Sequence, residues 1–304
     1  MISNIFLENL KTLIPAENIK LQEPMNQHTT FRTGGVADCF LTVQNGEQLQ
    51  KLVPYFRETG HEFFVLGCGS NLLVSDEGYR GIMLRLTGEL EQIRVCGERI
   101  HAGAGASMAR VARVACEHGL TGLEFASGIP GSIGGGIVMN AGAYDGEMSQ
   151  VVESVTVMDM EGNLLELDHD SMEFGYRDSV IKNRPYIVLE ACFHCKPGEM
   201  EKIVDYMEEL AARRREKQPL EYPSAGSTFK RPAGHFAGKL IMDAGLRGYS
   251  VGDAQVSEKH CGFIINKGNA TSSDINRLIE TVQQQVEEHF DVKLEPEVIR
   301  VGKF

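Results

Sequence analysis

The sequence predicts a mixed α+β protein built from more than one structural unit. Strand-like and helical segments alternate between residues 30 and 86. Short strands separated by turns dominate residues 91–195. Helical periodicity returns after Pro197, over residues 199–217 and again over 274–290. A chain of 304 residues is long enough for two or three such units.

The N-terminal third alternates helices and strands. Residues 1–11 predict an amphipathic helix, and the acidic Glu8 in a segment without a basic start argues against a signal peptide. A strand over 38–43 leads to a helix over 47–59. The apolar residues of this helix recur at helical spacing, and they are Leu49, Leu52, Val53 and Phe56. Further strands are expected at 63–66 and 81–86.

The middle of the chain is mostly strand. The expected strands cover residues 92–95, 99–102, 154–160, 164–167 and 186–194. A helix over Met108–His118 lies among them, with Ser107 as its N-cap and Gly119 as its stop signal. This region therefore predicts a sheet interrupted by one helix.

The last third reads as a separate α+β unit over residues 203–295. The helix over 199–217 has the apolar stripe Met200, Ile203, Val204, Met207, Leu210 and Ala211. Basic residues in its last turns complement the helix dipole. A short helix near 238–244, a strand over 261–266, the helix over 274–290 and a strand over 297–301 complete the unit.

Composition excludes several classes of function. A net charge of −12 with no basic tail argues against general nucleic-acid binding. No run of about 18 apolar residues exists, so no membrane span is expected. Seven cysteines without framework spacing indicate free thiols in a reducing compartment, and hence a cytoplasmic protein. No coiled-coil pattern or apolar stripe offers an interface, so a monomer is expected.

Two glycine-rich turns carry the strongest functional signal. Eight glycines fall within Gly122–Gly146, and the turn Gly67–Asn71 directly follows the apolar run 63–66. Glycine lets the backbone approach a ligand closely and present N–H groups to oxyanions. Two such turns indicate a ligand with more than one phosphate, such as a dinucleotide cofactor.

Other motif interpretations are weaker. The segments Gly103–Met108 and Gly67–Leu72 follow strands as a Rossmann fingerprint does, but each lacks a small residue at the third position. Gly234–Leu240 has the wrong spacing for a phosphate-binding P-loop. Cys192 and Cys195 lie in an expected strand, where they face opposite sides. No paired histidine spacing exists, so no metal is expected.

Three polar residues carry little weight individually. Ser227 stands beside Gly226 in a loop, Glu297 follows a proline, and Arg177 lies in Phe174–Ser179. Each alone is most simply turn chemistry. These three residues indicate a function only when they are considered together with the other segments.

Seven segments, taken together, resemble one family. They are His28–Gly35, Leu66–Leu73, Ile129–Gly135, Asn140–Tyr144, Phe174–Ser179, Tyr222–Lys230 and Leu294–Val298. In this order, across nearly the whole chain, they resemble the UDP-N-acetylenolpyruvoylglucosamine reductases, flavoenzymes of bacterial cell-wall synthesis. The chain is similar to the shorter subtype, because no long insertion follows Ala141–Tyr144.

The resemblance implies a vanillyl-alcohol-oxidase-like (PCMH-type) FAD-binding fold. Two α+β FAD-binding subdomains, 1–86 and 87–202, hold FAD between them, and an α+β substrate-binding domain, 203–304, closes over the nucleotide sugar. Packing of the last strand on the second subdomain is left open. The FAD is expected to be non-covalent, with NADPH as reductant. The implied FAD contacts are Gly67, Cys68, Gly69, Ser70, Asn71, Pro130, Gly131, Ser132, Gly134, Asn140, Ala141, Gly142, Ala143 and Arg214.

The resemblance also assigns catalytic roles. Hydride from the flavin reaches the terminal vinyl carbon of the substrate, and charge develops on the neighbouring carbon and its carboxylate. Arg177 and Glu297 are implied to flank that carboxylate, since guanidinium makes a fixed two-donor contact. A carboxyl at Glu297 must then be protonated or bridged by the arginine. Ser227 protonates the enolate carbon, with Lys230 supporting the resulting alkoxide.

Substrate contacts are less specific. The other subtype places a tyrosine from its insertion over the nucleotide, and this chain has no such insertion. Tyr176, Gln255 and His260 are the expected uridine contacts, and Arg214 and Gln218 contact FAD or substrate. Two alternatives stay open at this point. One is an oxidase of the same fold, and the other is a nucleotide-sugar binding protein without redox activity.

Overall fold

The computed structural model describes residues 2–144 and 146–304. Met1, in the expected N-terminal helix, and Asp145, in the glycine-rich stretch, lie outside the described residues. The chain divides into two compact units. Unit 1 contains the residues up to Leu21 together with 39–68 and 81–213, and unit 2 contains 22–38, 69–80 and 214–304. The division into 1–86, 87–202 and 203–304 stays a prediction.

The expected helices and strands are present near their expected positions, and the structure adds further short elements that were not predicted. The helices are α1 (Asn4–Leu13), α2 (Gly46–Glu58), α3 (Met108–Glu117), α4 (Ile133–Val138), α5 (Val180–Asn183), α6 (Met200–Lys217), α7 (Ala237–Asp243) and α8 (Ser272–Phe290). The strands are β1 (Ile19–Pro24), β2 (Val36–Val43), β3 (Phe63–Leu66), β4 (Leu72–Val74), β5 (Tyr79–Leu86), β6 (Ile93–Cys96), β7 (Arg99–Gly103), β8 (Leu120–Thr121), β9 (Gly142–Ala143), β10 (Gly146–Glu147), β11 (Val152–Met158), β12 (Leu164–Asp168), β13 (Ile187–His194), β14 (Lys196–Pro197), β15 (Ser250–Val251), β16 (Ala254–Val256), β17 (Ile264–Asn266) and β18 (Ile299–Val301).

Unit 1 is organised around an antiparallel five-stranded sheet of order β12-β11-β13-β7-β6. Helix α3 begins as expected, because the Ser107 side chain accepts a hydrogen bond from the Arg110 N–H. It stops at Gly119, which has a φ of +64° that glycine adopts without strain. The strands and α3 contribute to one buried apolar cluster.

A second sheet positions the first glycine turn. Its strand order is β1-β2-β5-β3, and β3 runs parallel to β5. The predicted apolar face of α2 is fully buried in the unit 1 core. Strand β3 ends at Leu66, so Gly67 begins the turn directly after a buried strand.

Two helices differ from expectation. The glycine-rich stretch forms the short helix α4, with Ser132 as N-cap, where only a turn was expected. On α6 the apolar stripe is only partly buried. Ile203 and Leu210 lie inside, whereas Met200 and Val204 are exposed. Helical spacing therefore predicted the helix correctly but overstated its buried face.

Unit 2 packs α8 and the antiparallel sheet β15-β16-β17 in a second apolar cluster. Thr271 caps α8 in a capping box with Asp274. Strand β18 pairs in parallel with β4, Ile299 opposite Leu72. This pairing joins the last strand to residues 72–74, and its predicted packing on residues 87–202 stays a prediction. Pairing over more than two hundred residues leaves no local signal in the sequence.

Candidate active site and family assignment

In unit 1 the two glycine-rich turns lie against each other. A Cβ added at Gly67 would lie 2.5 Å from Ser132 Oγ, far inside van der Waals contact. Ser132 is buried, and its hydroxyl caps α4 by accepting from the Gly135 N–H at 3.3 Å. Glycine at position 67 is therefore required by the neighbouring turn.

The Gly67–Asn71 turn offers unused donors. Across residues 2–144 and 146–304, none of its five backbone N–H groups has a hydrogen-bond acceptor. Gly67 and Cys68 belong to unit 1, and Gly69, Ser70 and Asn71 to unit 2. Gly69 has a φ of +63°, and a Cβ there would lie 1.9 Å from the His28 carbonyl oxygen. Glycine is thus the only residue that fits.

The Ile129–Gly135 turn has fewer open donors than expected. The Gly131 N–H donates to the Ile129 carbonyl at 2.9 Å, and the Gly134 N–H donates to the Ala104 carbonyl at 2.8 Å. Among the described residues the Ser132 N–H has no acceptor. Gly134 contributes through its missing side chain, since a Cβ there would lie 3.1 Å from the Ala104 Cβ.

These features fit the pyrophosphate of FAD. Unpaired N–H groups in a turn bind phosphate oxygens without any positive side chain. The Gly67, Cys68 and Ser132 groups supply them in unit 1. Burial raises the pKa of the Cys68 thiol, so this side chain stays neutral and adds no negative charge to the turn.

Arg177 is displayed on a tight turn of unit 1. Gly175 and Asp178 exchange backbone hydrogen bonds of 3.0 and 3.2 Å, and Arg177 between them has a φ of +55°. Its Nη2 donates to the Gly142 carbonyl at 3.2 Å, and Lys182 Nζ donates to its carbonyl at 2.8 Å. One hydrogen bond thus ties the guanidinium to Gly142, and another ties the Arg177 backbone to Lys182.

Arg177 lines a small pocket that is open to solvent. The pocket has a volume of about 240 Å³, and its lining residues are Gly142, Ala143, Tyr144, Gly146, Glu147, Gln150 and Arg177. The structure thus brings Arg177 together with the predicted FAD contacts Gly142 and Ala143. A pocket of this size suits a carboxylate or another small group more than a whole nucleotide.

Sequence reasoning missed Glu147. Its carboxylate accepts from Asn140 Nδ2 at 3.1 Å and from Ser149 Oγ, and it forms a capping box with Gln150. A capping box usually begins with Ser or Thr, so Glu147 and Gln150 do not match its usual sequence signature. Only the fold places Glu147 at the same pocket as Arg177.

In unit 2, Ser227 and Glu297 lie on two neighbouring extended segments. The Glu297 N–H donates to the Thr228 carbonyl, and the Lys230 N–H to the Glu295 carbonyl, each at 2.8 Å. Ser227 is exposed, whereas Thr228 after it is fully buried. These two predicted catalytic residues are therefore close in the backbone despite seventy positions of separation.

Asn71 connects the first glycine turn to Glu297 within unit 2. Its Nδ2 donates to the Glu297 carbonyl at 3.0 Å, and its carbonyl accepts from the Ile299 N–H at 2.9 Å. The backbone around Glu297 is thus set by a residue of the predicted FAD turn.

The remaining predicted substrate residues have protein partners. Lys230 forms an ion pair with Glu295, an interaction that the sequence does not indicate. Gln255 donates to the Gly248 carbonyl at 3.1 Å. His260 Nδ1 accepts from the Gly262 N–H at 3.1 Å, and burial lowers the pKa of this histidine. Tyr176 is exposed and lies beside the Arg177 guanidinium.

Gln218 and Arg214 lie at the end of α6. The Gln218 N–H donates to the Arg214 carbonyl at 2.9 Å, which closes the last turn of the helix. Their predicted contacts with FAD or substrate stay predictions.

The cysteines and the possible metal ligands complete the description of the site residues. The seven cysteines are free thiols. Burial raises the pKa of Cys192 to about 11 and that of Cys195 to about 12, so neither is a thiolate near neutral pH. Within residues 2–144 and 146–304, no cluster of three His, Cys, Asp or Glu side chains could hold a metal ion. None of the described helices is long and apolar enough to cross a membrane.

Sequence models of two known domains match this chain. A sequence model of an FAD binding domain matches residues 37–168. A model of the C-terminal domain of UDP-N-acetylenolpyruvoylglucosamine reductase matches residues 218–301. The UDP-N-acetylenolpyruvoylglucosamine reductase of Caldanaerobacter subterraneus subsp. tengcongensis is 51% identical over 301 residues, which cover 99% of each chain.

Two solved structures are similar in fold. The UDP-N-acetylenolpyruvylglucosamine reductase of Thermus caldophilus aligns with a TM-score of 0.80 at 36% identity, over 93% of this chain and 98% of its own. The grass pollen allergen Phl p 4 aligns with a TM-score of 0.51 at 16% identity, over 64% and 44% of the two chains. The second likeness concerns the fold alone.

The predicted FAD-binding fold and the predicted family are therefore confirmed. The sequence similarity extends over both units, and a model of an FAD binding domain matches residues 37–168. The chain belongs to the UDP-N-acetylenolpyruvoylglucosamine reductase family of FAD-containing oxidoreductases.

Proposed function

We propose that this chain reduces UDP-N-acetyl-3-O-(1-carboxyvinyl)glucosamine to UDP-N-acetylmuramate, a step in the synthesis of peptidoglycan precursors. FAD is the bound cofactor and NADPH the reductant. Similarity over 99% of the chain to a reductase of this name supports the assignment. The geometric observation that carries it is the Arg177 guanidinium, fixed at a small pocket beside the predicted FAD contacts.

The reaction divides into two additions across a carbon–carbon double bond. FAD, held through the N–H groups of Gly67, Cys68 and Ser132, would supply the hydride-transfer chemistry between NADPH and the terminal vinyl carbon. The protein must then stabilise negative charge on the neighbouring carbon and its carboxylate, and must deliver one proton to that carbon. Arg177, Ser227 and Glu297 are assigned to these tasks.

Arg177 binds the substrate carboxylate. A planar guanidinium offers two parallel donors that match a carboxylate, and it keeps its charge at every working pH. The left-handed turn and the bond to the Gly142 carbonyl hold it without rearrangement. Preorganised donors of this kind stabilise developing charge better than mobile ones.

Ser227 supplies the proton to the carbon. Its exposed hydroxyl stands on a segment whose next residue, Thr228, is buried and accepts from the Ile264 N–H at 3.0 Å. The buried neighbour fixes the direction of the backbone while the hydroxyl remains accessible. A serine hydroxyl is a weak acid, so its alkoxide needs support from nearby donors.

Glu297 completes the charge arrangement near the carboxylate. A carboxyl placed there must be protonated or paired with a cation to avoid repulsion. Lys230, which was expected to support the serine, is paired with Glu295. A role for Lys230 at Ser227 therefore requires this ion pair to break, and its partly exposed position makes that change inexpensive.

The competing interpretations have less support. An oxidase of the same fold shares the cofactor turns but has no use for an arginine fixed to bind a carboxylate. A nucleotide-sugar binding protein without redox activity has no use for the FAD-binding domain that matches residues 37–168. We further infer a cytoplasmic monomer that does not bind nucleic acid or membranes. Free cysteines and a net charge of −12 support this inference.

The decisive experiment follows the flavin spectrum. Purified protein is treated anaerobically with NADPH and then with the enolpyruvyl sugar. We expect flavin bands that bleach with NADPH and return when the sugar is added. Return of the bands with oxygen but not with the sugar would indicate the oxidase. Absence of flavin, even after FAD is added, would indicate the binding protein.

A further inference from the structure

The turn that displays Arg177 is held by the side chain of Asn140. This side chain is 1% exposed. Its Nδ2 donates to the Gly175 carbonyl at 3.0 Å and to Glu147 Oε1 at 3.1 Å, and its Oδ1 accepts from the Ser149 N–H at 2.9 Å. Both amide hydrogens and the amide oxygen are therefore used inside the protein. The side chain has no donor left for a ligand.

The position of Gly175 gives this contact its importance. Gly175 opens the two-residue turn that closes on Asp178, and Arg177 is the second residue of that turn. Gly142, two residues after Asn140, accepts from Arg177 Nη2 at 3.2 Å. The segment 140–142 thus holds Arg177 in two places. Asn140 holds the backbone turn that carries Arg177, and the Gly142 carbonyl accepts from the Arg177 guanidinium.

Both contacts depend on strained backbone. Asn140 has a φ of +40° and Arg177 a φ of +55°, a region that residues other than glycine seldom adopt. Such conformations persist when surrounding hydrogen bonds determine them. Asparagine tolerates the left-handed region better than most residues, which suits it to position 140.

Asn140 also donates a hydrogen bond to an acidic side chain of the pocket, that of Glu147. Glu147 lines the pocket together with Arg177. A carboxylate there would oppose a substrate carboxylate unless donors compensate its charge. Asn140 Nδ2, Ser149 Oγ and the Gln150 N–H supply such donors.

We propose that Asn140 is a positioning residue for substrate binding, because its amide fixes the turn that carries Arg177 and satisfies the carboxylate of Glu147. This inference rests on the proposed role of Arg177. The predicted FAD contact at Asn140 stays a prediction, and the side-chain hydrogen bonds leave that contact to the backbone. The substrate group concerned is the enolpyruvyl carboxylate.

The test is a double-mutant cycle on the holoenzyme. Asn140→Ala, Arg177→Lys and the double variant are compared in three measurements. They are the Kd of the enolpyruvyl sugar from perturbation of the oxidised flavin spectrum, the Kd of FAD for the apoprotein, and the rate of flavin reduction by NADPH. Asn45→Ala, which removes the N-cap of α2 in the same unit, is the matched control for general destabilisation.

We expect Asn140→Ala to raise the Kd of the sugar about tenfold or more, the scale of coupling between residues in one hydrogen-bond network. The Kd of FAD and the NADPH rate should stay within about twofold. Because Asn140 acts through Arg177, the double variant should bind the sugar no more than about threefold worse than the weaker-binding single variant. Asn45→Ala should lower the thermal midpoint without changing the Kd of the sugar.

Three results would overturn the inference or its basis. The Kd of the sugar in the double variant could rise by the product of the two single-variant factors. That result would show that Asn140 does not act through Arg177. A weakened FAD affinity with unchanged sugar affinity restores the cofactor role of Asn140. A normal Kd and normal turnover in Arg177→Lys alone would instead refute the proposed role of Arg177, on which the inference rests.

A second pair of variants covers the case in which Asn140→Ala does not fold. Asn140→Asp keeps the shape and the acceptor for Ser149, but it loses the donor to Gly175 and faces the Glu147 carboxylate. Adding Glu147→Gln supplies an amide that relieves this repulsion. We expect the added change to restore the thermal midpoint but not the sugar affinity, with Glu147→Gln alone as control. Recovery of both would show that the contact with Gly175 is dispensable.

Discussion

The clash between a side chain at position 67 and Ser132 can be tested directly. In Gly67→Ala the new Cβ would lie 2.5 Å from Ser132 Oγ. Ser132 is buried, so the hydroxyl can escape only by giving up its bond to the Gly135 N–H at 3.3 Å. Loss of such a cap costs about 1 kcal/mol, and an unrelieved overlap in a packed region costs about 1–3 kcal/mol.

The same change should weaken FAD binding. A shift of Ser132 moves its unpaired N–H away from the phosphate oxygens that it is expected to contact. A lost hydrogen bond to a charged group is worth about 1.5–3 kcal/mol, which corresponds to a Kd about 10- to 150-fold higher. Urea unfolding of the apoprotein and titration of FAD by flavin fluorescence measure the two effects.

A second substitution makes the prediction specific. Removing the hydroxyl with Ser132→Ala leaves the Cβ of residue 132 at 3.6 Å from the added Cβ at position 67, an ordinary contact. Gly67→Ala should therefore cost less than about 0.5 kcal/mol when Ser132→Ala is already present. Gly46→Ala is the control, because a Cβ there meets nothing within 4 Å. An equal cost of Gly67→Ala with and without Ser132→Ala would refute the steric argument.

Three further outcomes are expected. In Ser227→Ala, the rate of flavin reduction by NADPH should stay within about twofold of the unmodified rate. Reoxidation by the enolpyruvyl sugar should slow by about 10²- to 10⁴-fold in stopped flow. Equal slowing of both steps would contradict the assigned role. Arg177→Lys should raise the KM of the sugar and lower turnover, because a point charge cannot replace the two parallel donors of a guanidinium. A near-normal kcat/KM would contradict the proposed role of Arg177. The pKa of His260 is lowered by burial, so the unfolded chain binds its proton at higher pH than the folded protein does. Stability should fall as pH drops below about 6.5, and the fall should be shallower in His260→Gln by urea unfolding, with parallel curves counting against this reasoning.

The periodicity of the sequence determined the secondary structure to a large extent. Helices α2 and α8 lie where apolar residues recur at helical spacing, with Leu49 and Ile275 fully buried. The glycine turn at Gly67 was predicted from its place after an apolar strand. The helices and this turn depend on interactions between residues close in the sequence, so the sequence pattern can predict them.

The candidate residues were partly accessible in the same way. Motifs resembling a known family brought Arg177, Ser227 and Glu297 to notice, although each alone was ordinary turn chemistry. The sequence could not indicate that Lys230 pairs with Glu295. It also could not separate the open Ser132 N–H from the occupied Gly134 N–H, because that distinction requires the Ala104 carbonyl.

Only the tertiary structure decided which distant segments meet. Asn140 bonds to Gly175 across 35 positions, and the Ile299 N–H bonds to the Asn71 carbonyl far away along the chain. Residues 22–38 and 69–80 fold with the C-terminal third. Such contacts form because folding lowers the free energy of the whole chain by burying apolar surface and pairing backbone groups. No single segment determines this free energy. The sequence therefore determined the elements and the family, and the fold determined the partners of each site residue.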